Sequence, residues 1–193
     1  MKPKLFRSVR QLPVVIVLAV LLAIVLRNRS NKAYSNNPSA SNAGGGPVVN
    51  SIEDLIPKHA QPKLPTIKLW VGAAELETEM ALNGVQQMTG MMWRTNMPEN
   101  TAMIFVHPQP RQASYWMKNC YVPLSIAYID TEGAILEIRD LQPHDTNSVV
   151  SVATNVRFAL ETPQGWFQRH NINTGAVVRT ERGSLAETFL RRN

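Results

Sequence analysis

Apolar residues follow three different patterns along the chain. Residues 13–26 form one unbroken apolar run, residues 27–65 are mostly polar, and residues 66–180 hold many short apolar runs separated by turn-forming residues. A long unbroken run is typical of a membrane or signal segment, whereas short runs are typical of strands. The pattern predicts a basic flank (1–12), a transmembrane anchor (13–26), a flexible linker (27–65), a globular domain (66–180) and a C-terminal tail (181–193).

The run at residues 13–26 fits an uncleaved anchor better than a cleaved signal peptide. Extended by two residues it spans ~24 Å as a helix, slightly short of a hydrocarbon layer of ~30 Å. Arg10 and Arg27 flank it and can reach the headgroups. A small-x-small cleavage site does not follow closely, since the nearest small pair is Ser41 and Ala43. A cleaved signal peptide remains the alternative.

Charge is distributed unevenly between the flanks and the domain. The net charge is +6, but residues 1–47 carry seven basic and no acidic side chains, which leaves 13 basic and 14 acidic residues elsewhere. The near-neutral domain argues against nucleic-acid binding. Four basic residues precede the apolar run and three follow it, so we expect a cytosolic N terminus and a domain on the periplasmic or extracytoplasmic side of the inner membrane.

The short runs of the domain predict a mainly β fold (β-rich α+β), a small barrel or sandwich with one or two short helices. The clearest element is a hairpin, residues 124–130 and 134–141 joined by Thr131-Glu132-Gly133. A helical patch is predicted at 83–92 from the spacing of Val85, Met88 and Met92. Other predicted strands are 67–71, 76–82, 103–106, 114–117, 156–161 and 176–180, with a loop at Pro108 and Pro110, a turn and short helix at 163–170, and an amphipathic or frayed tail at 184–192.

Several motifs in residues 67–180 resemble one protein family. They are Gly90-Met91-Met92-Trp93-Arg94, Ala102-Met103-Ile104-Phe105, Tyr115-Trp116-Met117-Lys118-Asn119-Cys120, Val122-Pro123-Leu124-Ser125 and Phe158-Ala159-Leu160-Glu161. In this order they are similar to domain-of-unknown-function family 192 of bacteria and archaea. The resemblance implies a compact β-rich domain, often exported or membrane-tethered, with no established activity. The chain departs from the family at Cys120 (usually Thr), Ser125 (usually Asp), His144 (often Cys) and Ala176 (usually Asp).

Trp116, Lys118 and Asn119 are the leading candidates for a binding site. Strand alternation would place Trp116 and Lys118 on one face, as a stacking surface beside a cation. Arg94 is added because it can hold a ligand carboxylate or pair with Glu161 or Asp130. We therefore predict a candidate pocket for a small anionic or sugar-like ligand at Arg94, Trp116, Lys118, Asn119 and Glu161. The alternative is that these side chains have structural roles.

Catalytic and metal sites are weakly indicated. Cys120 with His107 or His144 would form a thiolate–imidazole pair only if the fold brought them together. Seven methionines in the domain suit Cu(I), but the spacing of Met88 and Met92 is equally that of an adaptable core face. No ligand cluster has diagnostic spacing, so we predict no catalytic residue, no metal and no cofactor.

The function predicted from sequence is that of a membrane-anchored extracytoplasmic module, monomeric and non-catalytic, which binds a ligand or assists other proteins of the cell envelope. Its lipid contact would be made by residues 13–26. A hydrolase or transferase with a site around Arg94, Lys118, Asn119 and Cys120 is one alternative. A structural partner in an envelope complex is the other.

Overall fold

The computed structural model describes residues 52–191. The predicted basic flank, anchor and first part of the linker lie outside the described residues. No helix between residues 52 and 191 is long and apolar enough to cross a membrane.

The described residues form ten strands, three short α-helices and one 3-10 helix, so the mainly β class is confirmed. The helices are the 3-10 helix Ile52–Leu55, α1 (Gly84–Thr89), α2 (Trp166–Arg169) and α3 (Leu185–Phe189). The strands are β1 (Thr66–Val71), β2 (Ala74–Ala81), β3 (Thr101–Arg111), β4 (Ser114–Tyr115), β5 (Leu124–Ile129), β6 (Ile135–Leu141), β7 (Val149–Val150), β8 (Val156–Pro163), β9 (Val178–Thr180) and β10 (Gly183–Ser184).

Eight strands build one mixed sheet in the order β10-β9-β1-β2-β3-β8-β5-β6, and β4 pairs separately with β7. Within the large sheet β2 and β3 are parallel and the other pairs are antiparallel. The sheet curls until its ends meet, because Ile135 N–H donates to the Ala176 carbonyl (2.9 Å) and Val178 N–H donates to the Gly133 carbonyl (2.8 Å). Gly133 has φ 86°, and a Cβ there would lie 2.9 Å from the Val178 carbonyl oxygen.

The central strands β3, β8 and β5 are buried on both faces. Every residue of β5 is buried, and so are residues 102–105 of β3 and 158–162 of β8. On one face lies an inner core, which includes Leu69, Leu76, Ile104, Ile129, Phe158, Leu160, Trp166 and Val178. On the other face lies an outer core, which includes Ile56, Met91, Met92, Met103, Phe105, Met117, Cys120, Ile126 and Tyr128. The outer core is covered by loops rather than by strands of the sheet.

The structure corrects three predicted elements. Helix α1 ends at Gly90 (φ 46°), earlier than predicted, so Met92 lies beyond it and Val85 is exposed. Strand β3 continues through the prolines to Arg111, although its pairing with β8 is interrupted there. Strand β4 ends at Tyr115, so residues 116–119 lie in a loop and the alternation predicted for them does not apply.

The described end of the predicted linker packs on the domain. Leu64 is buried, and its N–H donates to Glu79 Oε2 at 2.7 Å. Gln61 Nε2 donates to the Gly90 carbonyl at 2.9 Å, and Trp93 Nε1 donates to the Pro57 carbonyl at 2.8 Å. These contacts place residues 53–57, the cover segment, against the loops over the outer core.

Candidate functional site

Glu161 lies in the middle of β8 on the outer-core face. It pairs in register with Met103 on one side and Ile126 on the other, so its carboxyl group is flanked by two apolar side chains. The residue is 4% exposed, and its Oε2 is enclosed without a hydrogen-bond partner. Burial raises the pKa of Glu161 to about 8. The group is therefore mostly a neutral carboxylic acid at pH 7.

Three other ionisable groups surround Glu161 but direct their hydrogen bonds elsewhere. Tyr128 Oη donates to the Val149 carbonyl at 2.8 Å, and Tyr115 Oη lies 3.2 Å from His107 Nε2. Cys120 Sγ lies 3.7 Å from the Lys118 carbonyl oxygen. Burial, and to a smaller extent the Glu161 charge, raises the pKa of Tyr115, Tyr128 and Cys120, to about 12 for the thiol. All three stay protonated at neutral pH.

Arg94 pairs with neither of its predicted partners. Its guanidinium forms a bidentate ion pair with the carboxylate of Glu79, in which Nη2 lies 2.8 Å from Oε2. Burial opposes the ionisation of Glu79, but the hydrogen bonds from Arg94 and Leu64 outweigh it and lower its pKa. Asp130 instead holds the hairpin turn, where its carboxylate accepts from the Ala134 N–H at 2.9 Å. Arg94 therefore closes the edge of the outer core.

Lys118 and Trp116 lie next to each other in the loop after β4. Lys118 Nζ is 5.6 Å from the centre of the Trp116 ring, a cation–π distance. The same ammonium binds both carboxylate oxygens of Glu53, at 2.5 and 2.7 Å. The two candidate side chains lie together in a loop and not through strand alternation, and the cation already has an anionic partner in the cover segment.

Asn119 belongs to a group of strained loop residues. Asn119, Trp93 and His144 have φ of 59°, 66° and 63° and are three of the four non-glycine residues with positive φ in residues 52–191. Trp93 N–H donates to the Asn119 carbonyl at 2.7 Å, and the Tyr121 ring contacts both the Trp93 and the His144 rings. Positive φ in residues with a side chain is often retained at functional sites. The strain is concentrated in the loops above the outer core.

The Cys120 thiol makes no hydrogen bond to an imidazole within residues 52–191, although the His144 backbone N–H donates to the Cys120 carbonyl at 3.2 Å. Cys120 is held as a buried thiol, and the ring of His107 contacts Tyr115 while that of His144 packs edge-on against Tyr121 at 4.8 Å. The methionines 91, 92, 103 and 117 lie together in the outer core. Within the described part of the chain no three His, Cys, Asp or Glu residues are placed to hold a metal ion.

Ser125, which stands at a position where family members usually have Asp, joins three elements. Its Oγ donates to Asp140 Oδ1 at 2.5 Å and accepts the Gly165 N–H at 2.9 Å. A carboxylate is therefore still present beside this position, supplied by β6 instead of β5.

Sequence reasoning missed the partners Glu53 and Glu79. Glu79 follows Glu75 and Glu77, which are exposed, and the alternation of β2 changes phase at residues 78 and 79, where two successive residues are buried. This change is visible only in the burial of the folded strand, because the glutamates themselves alternate regularly in the sequence. The Glu53 contact spans 65 residues and has no local signal.

Comparison with known proteins places the fold. Two solved structures resemble it, both with a TM-score of 0.58. One is a protein described as a candidate transcription regulator from Sinorhizobium meliloti, at 25% identity over 63% of this chain and 98% of that one. The other is a protein of unknown function from Novosphingobium aromaticivorans, at 23% identity over 74% of this chain and 99% of that one, which shows the fold alone.

The family comparison agrees with the motifs. No curated protein matches the chain. The profile of domain of unknown function 192, described as an uncharacterized ACR family, matches residues 67–180, which span β1 to the end of β9 and include Glu161 and the strained loops. The chain belongs to domain-of-unknown-function family 192.

Proposed function

We propose that the domain is a non-catalytic binding module for a small uncharged ligand that carries hydroxyl or amide groups, and that Glu161 is its central binding residue. The observation that supports this proposal is the enclosed Oε2 of Glu161, which has no hydrogen-bond partner. A buried polar atom without a partner costs ~1–3 kcal/mol, so it is rarely kept without a role. A ligand group that reached this atom would recover that cost.

The charge of the site favours the sugar-like ligand over the anionic one. A protonated carboxyl both donates and accepts a hydrogen bond, which suits hydroxyl and amide groups. The two predicted cations do not face an empty position, because Arg94 is paired with Glu79 and Lys118 with Glu53. An anion bound beside Glu161 would also oppose the ionisation of Glu161, and it would find both predicted cations already paired.

The alternative of a hydrolase or transferase has less support. A cysteine nucleophile reacts as the thiolate, and burial holds the Cys120 thiol protonated, with a pKa of about 12. His144 donates its backbone N–H to the Cys120 carbonyl at 3.2 Å, but its ring packs against Tyr121, and the ring of His107 contacts Tyr115. Of the other three residues of that hypothesis, Lys118 and Arg94 are engaged in ion pairs, and Asn119 holds the loop through its carbonyl, which accepts the Trp93 N–H.

Access to Glu161 requires movement of the loops above it, and the cover segment is the part best suited to move. It is attached by the Glu53–Lys118 ion pair, by the hydrogen bond from Trp93 Nε1 to the Pro57 carbonyl, and by Ile56, which is buried in the outer core. Glu53 is exposed, and exposed ion pairs are weak. Displacement of residues 53–57 would open the loops that carry Lys118 and Trp93 without unfolding the sheet.

The location of the module also belongs to the proposal. The apolar run at residues 13–26 and its basic flanks support a single-pass anchor in the inner membrane with the domain outside the cytosol. Carbonate extraction of membranes that carry the full-length chain tests this, and we expect the chain to stay in the membrane pellet. A mature N terminus near residue 43 would contradict an uncleaved anchor.

A thermal-shift screen of neutral sugars, amides and cell-wall fragments tests the binding proposal. A ligand at 100 times its Kd stabilises the folded state by about 2.7 kcal/mol. We expect at least one compound to raise the Tm of the full-length chain, and to lose that effect in Glu161→Leu, which removes the polar atoms. Ser148→Ala, an exposed loop substitution, serves as the control. A compound that stabilises Glu161→Leu as well as the wild type binds elsewhere and contradicts the role of Glu161.

A further inference from the structure

Arg157 lies opposite an interruption in the pairing of β3 with β8. The register runs from Met103–Glu161 to Val106–Phe158 and resumes at Arg111–Val156. One residue of β8, Arg157, therefore faces four residues of β3, numbers 107–110. Pro108 and Pro110 have no N–H to donate across the strands, which explains the interruption. Arg157 consequently lies between His107 and Arg111, at the two ends of this excursion.

The two arginines have no anionic partner. Neither Arg111 nor Arg157 takes part in an ion pair within residues 52–191. The Nε of Arg157 is buried and has no hydrogen-bond partner, and the Nε of Arg111 makes one long contact of 3.3 Å to the Gln112 carbonyl. Both side chains are half-buried, so water does not fully compensate for the missing partners.

The pKa of His107 is affected by the positive charges of the two arginines. His107 is buried, and burial together with the charges of Arg111 and Arg157 lowers its pKa to about 4. The imidazole is therefore neutral at pH 7, and its Nε2 contacts the hydroxyl of Tyr115 at 3.2 Å. Burial is the one influence that shifts the pKa of Arg157, downward, with no contribution from a carboxylate. The excess positive charge is thus not neutralised by the described residues.

We propose that Arg111, Arg157 and His107 form an oxyanion-binding site at the β3–β8 interruption, suited to a phosphate or carboxylate group. Guanidinium groups bind both through paired N–H donors, and the unpartnered Nε of Arg157 is such a donor. The site is separate from Glu161 and does not rest on the function proposed for that residue. The oxyanion belongs either to a free small molecule or to a phospholipid headgroup.

NMR titration of the full-length chain in neutral detergent tests the proposal, with inorganic phosphate, acetate and sodium chloride at matched ionic strength as the probes. We expect phosphate or acetate to shift the Arg157 Nε–Hε resonance along a saturable curve, and chloride to leave it unchanged. Arg157→Gln should weaken binding, followed in that variant at the Arg111 Nε–Hε resonance, about tenfold or more, the effect of losing one charged hydrogen bond. Arg179→Gln, an exposed arginine on β9, removes the same charge and should not weaken it.

Vesicles of phosphatidylglycerol distinguish the two sources. Binding of a soluble phosphate monoester but not of vesicles assigns the site to free ligands, and Arg157-dependent vesicle binding assigns it to headgroups. Glu161→Gln should leave phosphate binding unchanged, so this proposal and the Glu161 proposal fail independently. An Nε–Hε resonance that does not move, or equal weakening by Arg157→Gln and Arg179→Gln, overturns the site.

Discussion

The two faces of the central strands share one backbone but differ in the side chains that they carry. The inner-core face of β3, β8 and β5 carries Ile104, Leu160 and Ile129 and packs on the buried ring of Trp166. The outer-core face of the same strands carries Glu161, which pairs with Met103 and Ile126, and His107, whose ring contacts Tyr115. Two buried ionisable residues of these strands, His107 and Glu161, thus lie on the face that is covered by loops.

The difference lies in how each face is closed. The inner core is enclosed by the curled sheet and by α2 and α3, and its enclosed polar atom without a partner is the indole Nε1 of Trp166, a neutral donor. The outer core is closed by loops with positive φ at Trp93, Asn119 and His144. Removal of strained loops or of unpartnered ionisable groups commonly stabilises a protein, so their presence on this face supports the binding role proposed for Glu161.

The largest expected effect is the dependence of folding stability on pH that Glu161 causes. Its pKa is about 8 in the folded state against an ordinary value of 4.5. The folded chain therefore holds the proton more tightly, and the stability this provides is complete below pH 4.5 and is lost as the pH rises to about 8. At 1.36 kcal/mol per unit the loss is at most about 5 kcal/mol. Glu161→Gln removes this dependence.

The measurement is the Tm of Glu161→Gln minus that of the wild type, from pH 4.5 to 9. We expect the difference to rise with pH and to level off above pH 8. The lowered pKa of His107 acts in the opposite sense, since its contribution is lost as the pH falls from 6.5 to about 4. Because both proteins contain His107, the subtraction cancels it. A flat difference would show that Glu161 ionises normally and that the outer core is open to water.

Leu160, the residue before Glu161 on β8, should contribute to stability independently of pH. Leu160 points into the inner core and is fully buried. Leu160→Ala should lower the free energy of unfolding by ~2–5 kcal/mol, because it leaves a cavity in a close-packed face. Urea unfolding at pH 5 and pH 8.5 checks this, and the loss should be the same at both. A loss below ~1 kcal/mol would mean that the inner core is as adaptable as the outer one.

A smaller effect tests the strained loops. Asn119 has φ 59°, a conformation that Asn tolerates better than Ala. Asn119→Ala should lower the stability by ~1 kcal/mol, whereas Asn119→Gly should leave it unchanged or raise it slightly. Thermal melts of both variants check this, with Asn173→Ala in an exposed loop as the control. Equal loss in the Ala and Gly variants would assign the effect to the lost side chain instead of the backbone.

The sequence predicted local features of the fold well. The hairpin of β5 and β6 is confirmed. Its two apolar arms and the glycine in its turn lie within 18 residues, so local sequence is sufficient to predict it. Helix α1 was predicted too long, since the spacing of Met88 and Met92 continues past Gly90, where the backbone turns away from the helix. Periodicity alone does not show where the helix ends, but Gly90 does, because glycine commonly terminates helices.

The candidate site was less predictable because its contacts are distant in sequence. Trp116 and Lys118 were predicted to share a face through strand alternation, whereas they meet in a loop. Glu161 was named as a partner for Arg94, but its burial follows from the position of β8 between β3 and β5, which no local spacing shows. The pairing of Arg94 with Glu79 depends on the loop after α1 returning to β2. The sequence thus predicted which residues are unusual but not which of them meet.

The smallest expected effect concerns the cover segment, where the outer core meets solvent. Glu53→Gln breaks the ion pair with Lys118, and exposed pairs contribute ~0–1 kcal/mol, so the global Tm should hardly change. Exchange of the Trp93 indole proton, which is bound to the Pro57 carbonyl, should nevertheless become up to about fivefold faster, the equivalent of 1 kcal/mol in local opening. In 1 M salt the wild type should exchange like the variant, because salt screens the pair. Glu132→Gln in the β5–β6 turn removes an equivalent charge and should leave this proton unaffected. If Glu53→Gln leaves the exchange rate unchanged, the ion pair does not hold the cover segment, and a ligand must reach Glu161 by another route.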